Sequence, residues 1–172
     1  ATQKYYRSRP LNMLGFLVGH EGKGSLLSLL KEEGLASGLS AGGGDSTSSY
    51  TSFNINIQLT PKGLKRYTKV IERTFQYLRL LREKSLPRYV YEEVRRMAEI
   101  DYRFAEKTGG TRLVNMFSLL MQIYPLRSVE STPFLISEYR PRLFDSMLFR
   151  LIPENMLALL AACLLYTSDA AD

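Results

Sequence analysis

The clearest element in the sequence is a half-buried strand over residues 51–59. Its apolar positions Phe53, Ile55, Ile57 and Leu59 alternate with Asn54, Asn56 and Gln58. This period of two is typical of a strand with one face on a core and the other in water. We also predict strands at 11–18, 36–42 and 156–163.

A glycine-rich loop comes before the first predicted helix. Three glycines lie within residues 19–24, and Ser25 then opens a short apolar run. Serine is a favoured N-cap, and Gly34 is suited to the left-handed residue that follows many helices. The sequence therefore predicts a helix over 25–33.

Apolar residues spaced three and four apart predict longer helices downstream. Thr60 and Pro61 are suited to begin one that extends to about Glu83. Its apolar stripe comprises Leu64, Tyr67, Ile71, Phe75 and Leu78. Further helices are predicted over 88–107, from 111 to before Pro125, over 133–139, and from Pro141 onward.

Composition is that of an ordinary globular chain with one compact core. Of its 172 residues, 45% are hydrophobic and 23% are charged, and the formal net charge is +6. The basic residues are spread over several helices and interleaved with glutamate, which argues against a nucleic-acid partner. No apolar run approaches the ~20 residues of a membrane span, so we expect no membrane partner. The start has neither methionine nor a signal-peptide core, and we expect it to be internal to a longer protein.

The loop sequence GHEGKGS contains residue types that bind anions or metals, but the spacing fits neither. A phosphate loop needs Gly-Lys followed directly by Ser or Thr, whereas Gly24 follows Lys23. His20 is the single histidine and Cys163 the single cysteine, so neither a two-histidine zinc motif nor a cysteine zinc site is possible. Ser25 lacks a nucleophile elbow. We predict no catalytic residue and no metal ligand; a tight turn would by itself explain the glycines.

The segment GHEGKGSLLSLLKEEG closely resembles the family of zinc metallopeptidases that includes insulin-degrading enzyme, nardilysin and pitrilysin, the inverzincins. The resemblance continues through INIQLTPKGLKRYTKVIERTFQYLRLLRE, YVYEEVRRMAEIDYRFAEKT, MQIYPL, EYRP and PEN, and covers roughly residues 4–157. In that family these segments lie in the second domain of the catalytic half. The H-x-x-E-H zinc site lies upstream of them.

The resemblance implies an α+β fold. This fold is a two-layer, mainly antiparallel sheet with helices packed on one face, a metallohydrolase domain like those of mitochondrial processing peptidase. Residues 1–162 would form one such domain, with a sheet-rich part at 1–84 and a helical part at 85–155. The last stretch, LLYTSDAAD, departs from the family, and we expect residues 163–172 to be a non-native tail; the alternative is a genuine polar tail.

The resemblance also implies a function. The chain would be a substrate-capturing, non-catalytic domain fragment of a zinc metalloendopeptidase that degrades peptides inside a closed chamber. Zinc would be bound by the intact enzyme and not by this chain. Its partners would be peptide substrates and the remaining domains of the parent peptidase. The alternative is a non-catalytic interaction or structural module of the same fold.

In insulin-degrading enzymes the glycine loop and the strand after the first helix form an exosite that holds the substrate's N-terminal residues as an added strand. At the matching positions of this sequence the exosite comprises Gly19, His20, Leu39, Ser40, Ala41 and Gly42. Main-chain pairing to an exposed edge gives affinity without demanding one peptide sequence. Phe16 and Ala41 depart from the family pattern of histidine and glycine, which implies narrower or weaker capture.

Overall fold

The computed structural model of the chain describes residues 3–47, 49–106 and 109–162. The helices are α1 (Pro10–Gly19), α2 (Leu26–Glu32), α3 (Pro61–Lys65), α4 (Tyr67–Lys84), α5 (Arg88–Arg103), α6 (Gly110–Leu120) and α7 (Pro141–Leu148). The strands are β1 (Ala36–Ser46) and β2 (Thr51–Leu59). Single 3-10 turns lie at Gln3–Tyr5, Leu126–Ser128 and Pro153–Asn155.

The strands β1 and β2 form an antiparallel pair with helices on one face. Leu39 lies opposite Ile57, and Ala41 lies opposite Ile55. These side chains pack against the helices, whereas Ser40 of β1 is exposed, and so are Asn54, Asn56 and Gln58 of β2. The predicted α+β fold, with an antiparallel sheet and helices on one face, is confirmed, and so is the strand over 51–59. The strand predicted at 36–42 is also present and extends to Ser46.

The strand predicted at 11–18 is wrong, because this segment is the buried helix α1. Pro10 occupies the first helical position, where its missing N–H costs no hydrogen bond. Met13, Leu14 and Val18 are fully buried against α4, α5 and α7. A helix buried on most of its surface shows no polar stripe, so periodicity alone does not separate it from a buried strand.

Both predicted ends of α2 are confirmed. The Ser25 hydroxyl oxygen accepts a hydrogen bond from the Ser28 amide at 3.1 Å. Gly34, at φ +68°, follows the helix in the left-handed conformation that glycine adopts without strain. Three leucines of α2 then pack on Leu39 of β1 and Val70 of α4.

The predicted cap at Thr60 also joins the end of β2 to the turn after α2. The Thr60 hydroxyl donates to the Gly34 carbonyl at 2.7 Å and accepts from the Gly63 amide at 3.0 Å, and the Thr60 amide donates to the Leu35 carbonyl at 3.1 Å. A Cβ on Gly63 would lie 1.8 Å from that carbonyl oxygen, so only glycine allows this approach. The single helix predicted from here to Glu83 is instead two, because the backbone leaves the helical conformation at Arg66 (φ −124°).

The inward stripe of α4 also differs from the prediction. Leu78 is buried as expected, together with Val70, Thr74 and Leu81. Ile71 and Phe75, which the spacing placed on the same stripe, are only half buried. They face a groove beside β2.

The helix predicted over 133–139 is wrong. The amides of Ser137 and Glu138 donate to the carbonyl of Arg7, at 2.9 and 3.1 Å. Within a helix they would instead donate four residues back along the chain. These two hydrogen bonds link residues 137–138 to the N-terminal segment, and Ile136 is buried beside them. Residues 135–139 are therefore irregular.

The strand predicted at 156–163 is not formed over residues 156–162, which are neither helix nor strand. A strand needs a neighbour to satisfy its backbone groups, and the only sheet in the described part of the chain is the β1–β2 pair. Residue 163 and the predicted tail, 163–172, lie outside the described residues.

An ion pair between α4 and the end of α2 predicts an acid-sensitive contribution to stability. Arg73 donates a hydrogen bond to Glu33, which lowers the pKa of that carboxyl, and Lys69 and Lys62 act in the same direction. A lowered folded-state pKa stabilises the protein above the unfolded pKa, and the gain disappears as the pH falls through the folded value. Glu33→Gln should therefore destabilise the chain slightly at pH 7 and make no difference in strong acid.

Urea titrations at both pH values check this expectation. Glu83→Gln is the matched control, since Glu83 pairs with Arg79 at 3.7 Å with both side chains well exposed. An equal loss of unfolding free energy for Glu33→Gln at pH 7 and in strong acid would contradict the acid-sensitive contribution assigned to this ion pair.

Candidate functional site

One edge of β1 lies open beside the end of α1. β1 pairs with β2 along its other edge, and within the described residues no strand pairs with this one. An open edge presents main-chain donors and acceptors to any extended chain that reaches it. This edge is therefore a candidate peptide-binding surface.

A pocket of about 430 Å³ lies at this open edge. It is lined by Gly15, Phe16, Gly19, His20, Glu21, Leu39, Ser40 and Ala41. The structure thus brings together five of the six residues assigned to the exosite from the sequence. The sixth, Gly42, is not part of the lining, although it is the next residue of the strand.

Two glycines of α1 allow the helix to lie directly on the backbone of β1. A Cβ on Gly15 would lie 3.0 Å from the Ala41 carbonyl oxygen and 3.1 Å from the Gly42 Cα atom. A Cβ on Gly19 would lie 3.5 Å from the Ala41 amide nitrogen. Larger side chains at these two positions would push the helix away or cover the main chain of Ala41.

His20 forms the rim of the pocket. It is exposed and takes extended backbone angles directly after α1. Its ring lies 6.1 Å from that of Phe16, centroid to centroid. A Cβ on Gly22 would lie 2.4 Å from its Nε2 atom, so this glycine leaves room for the imidazole.

The electrostatics of the pocket favour a positive group. The negative end of the α1 helix dipole lies at its C-terminus. The last residue of α1, Gly19, lines the pocket. Glu21, an exposed acidic residue, also lines the pocket. An amino group is the kind of ligand that such a site stabilises.

Sequence reasoning missed Gly15 and Glu21. With 11–18 predicted as a strand, nothing linked Gly15 to Gly19. Once the segment is a helix, their spacing of four residues places both on the face that meets β1.

The described residues hold no group of three or more histidine, cysteine, aspartate or glutamate side chains close enough to bind a metal ion. Among the same residues, no helix is long and apolar enough to cross a bilayer.

Comparison with known proteins places this fold in a metallopeptidase family. The family model described as "Peptidase M16 inactive domain" matches residues 1–97, more than half of the chain. The chain therefore belongs to the M16 peptidase family, as the sequence resemblance predicted. The matched model is the one for the inactive domain.

Individual relatives agree with the family model. The chain is 36% identical to human insulin-degrading enzyme over 154 residues and 34% identical to human nardilysin over 157 residues. These matches cover 90% and 89% of this chain but only 15% and 14% of the relatives. The crystal structure of pitrilysin matches 88% of this chain with a TM-score of 0.80 and 26% identity, and the match covers 16% of pitrilysin. The chain thus spans about one seventh of the proteins to which it is similar.

Proposed function

We propose that this chain is a substrate-capturing, non-catalytic domain of a zinc metalloendopeptidase that degrades peptides inside a closed chamber. The observation that carries the proposal is the pocket at the open edge of β1, where Gly19 and His20 meet Leu39, Ser40 and Ala41. Membership of the M16 family supports the enzyme class.

The peptide binds as an added strand along β1. Main-chain hydrogen bonds to residues 39–42 supply affinity that is independent of the peptide's sequence. The peptide's N-terminal amino group lies in the pocket, near the last carbonyls of α1 and the carboxylate of Glu21. Capture at the N-terminus leaves the rest of a long peptide free to reach a catalytic site elsewhere.

Cleavage takes place in another domain of the intact protein, which also holds the zinc. This domain contributes the exosite and part of the chamber wall, and the remaining domains of the peptidase are its partners. Sequence upstream of this chain in the gene tests the enzyme class. An H-x-x-E-H motif there supports it, and its absence would favour a non-catalytic interaction module of the same fold.

Filling the pocket should weaken peptide binding to this chain. Gly19→Leu places a side chain beside the Ala41 amide, so we expect about tenfold weaker binding of a long peptide with a free N-terminus. Gly109→Leu is the matched control, because a Cβ on Gly109 has no heavy atom within 4 Å. Fluorescence anisotropy with a peptide labelled at its C-terminus measures the peptide affinity of both variants.

The same peptide with an acetylated N-terminus tests where the amino group lies. Acetylation removes the charge, so the acetylated peptide should bind the unmodified chain more weakly. Gly19→Leu should reduce the difference in affinity between the free and the acetylated peptide. Equal binding of both peptides to the unmodified chain would contradict the placement of the N-terminus in the pocket.

A further inference from the structure

The pocket beside α1 has an apolar wall as well as an acidic end. The apolar wall consists of Phe16, Leu39 and Ala41. Phe16 is half buried and packs partly against the buried cluster of α1, α4, α5 and α7, and its ring lies 6.1 Å from that of His20. The N-terminus of a peptide carries an amino group and a first side chain, so the pocket offers a separate surface to each.

The space at the apolar wall exists because α1 has glycines where it crosses β1. A Cβ on Gly19 would lie 3.9 Å from the Ala41 Cβ atom, and a Cβ on Gly15 would lie 3.0 Å from the Ala41 carbonyl oxygen. One helical turn before Gly15, the Leu11 side chain occupies the corresponding position, because its Cδ1 atom would lie 3.7 Å from a Cβ on Gly43. The opening therefore lies beside Ala41 and does not extend along β1 to Gly43.

Sheet geometry assigns the first side chain of an added peptide strand to the apolar wall. Ala41 and Leu39 pack towards the helices, whereas Ser40 is exposed. Residues directly opposite each other on neighbouring strands project to the same face of a sheet, and successive residues alternate between faces. A peptide with its amino group near Gly19 has its first residue opposite Ala41, on the face of Phe16. Its second residue, opposite Ser40, projects to the other face.

We propose that Phe16 is a specificity-determining residue, which makes this pocket select peptides with an aromatic or large aliphatic first residue. A phenyl ring offers no hydrogen bond, so a polar first side chain would lose water there without gaining a partner. An aromatic first side chain gains apolar burial and ring contact. In this arrangement the peptide's own amino group neutralises Glu21, so a basic first side chain gains little. This inference rests on the proposed function, since it requires a peptide strand on β1.

Peptides that differ only in their first residue test the preference. Four peptides, each with a free amino group and a fluorophore at the C-terminus, begin with phenylalanine, alanine, aspartate or lysine. In fluorescence anisotropy with this chain, the phenylalanine peptide should bind at least about tenfold more tightly than the alanine peptide. The aspartate and lysine peptides should bind no more tightly than the alanine peptide. Exchanging phenylalanine for alanine at the second residue should change the affinity by less than about twofold.

Variants of Phe16 test whether this residue sets the preference. Phe16→His should reduce the phenylalanine-to-alanine ratio to below about threefold, while the alanine peptide keeps its affinity within about twofold. Phe16→Leu keeps an apolar side chain at this position and should retain most of the ratio. Phe134→His is the control, because Phe134 is 37% exposed and does not line the pocket. A general loss of folded protein would weaken both peptides equally and leave their ratio unchanged.

The outcomes separate this inference from the proposed function. Equal affinity for all four first residues, with an acetylated peptide still bound more weakly, would overturn the selectivity and leave peptide capture intact. If no peptide bound, the proposed function and this inference would both be wrong. Tighter binding of the lysine peptide would mean that Glu21 sets the preference. Dependence on the second residue would mean that the peptide is shifted by one position. Either of these results, or a ratio unchanged by Phe16→His, would overturn the role of Phe16.

Discussion

Replacing Phe144 by alanine should cost this chain about 3 to 5 kcal/mol of unfolding free energy, the usual range for a buried phenylalanine. Phe144 lies on α7 and has no exposed surface. It packs in the cluster that joins α7 to Met13, Leu14 and Val18 of α1. Truncation removes apolar contact and leaves a cavity that the surrounding helices fill only in part.

Phe149→Ala is the matched control for this prediction. Phe149 follows the last residue of α7 and is 62% exposed, so its loss should cost less than about 1 kcal/mol. Denaturant titration of both variants gives the comparison. Similar losses for the two would mean that α7 does not pack on α1 as described.

The effect of Phe144→Ala should extend to the proposed peptide site. α7 is tied to the end of α4, where Ser85 donates to Asp145 and Arg82 donates to the Leu151 carbonyl, both at 2.7 Å. α1 lies between this helical cluster and β1, and its end forms one wall of the pocket. Loosening the cluster therefore frees the wall that positions Gly19 and His20.

Local signals predicted the elements whose structure depends on local chemistry. The alternation over 51–59 and the caps at Ser25, Gly34 and Thr60 each follow from a residue and its near neighbours. The failures depend on distant contacts. α1 is apolar because three other helices bury it, and the break at Arg66 lies directly after a helix that Gly63 seats on the Leu35 carbonyl.

The candidate site was predictable only through the resemblance. Periodicity and composition gave no reason to join Gly19 and His20 to Leu39, Ser40 and Ala41, which lie about twenty residues further along the chain. The structure places them together because α1 packs across β1. Gly15 and Glu21 were missed, since their position depends on that packing and on α1 being a helix.

A proline in the middle of β1 should separate capture of long peptides from cleavage of short ones. In an intact enzyme that contains this domain, Ala41→Pro should weaken capture of long peptides with free N-termini by about tenfold. Proline removes the Ala41 N–H and bends the strand edge, so the added peptide strand loses pairing. Short peptides that never reach this edge should be cleaved at an almost unchanged rate.

Two controls separate loss of the edge from loss of the fold. Ser40→Thr keeps every main-chain donor of β1 and places its extra methyl on the exposed face, so it should change neither substrate class. Thermal unfolding of the Ala41→Pro enzyme reports whether the β1–β2 pairing, in which Ala41 lies opposite Ile55, survives. Because a damaged fold would slow both substrates, the ratio of kcat/KM for long and short peptides is the decisive measurement. An unchanged ratio would leave the pocket at Gly19 and His20 as part of the architecture and not as a site of peptide capture.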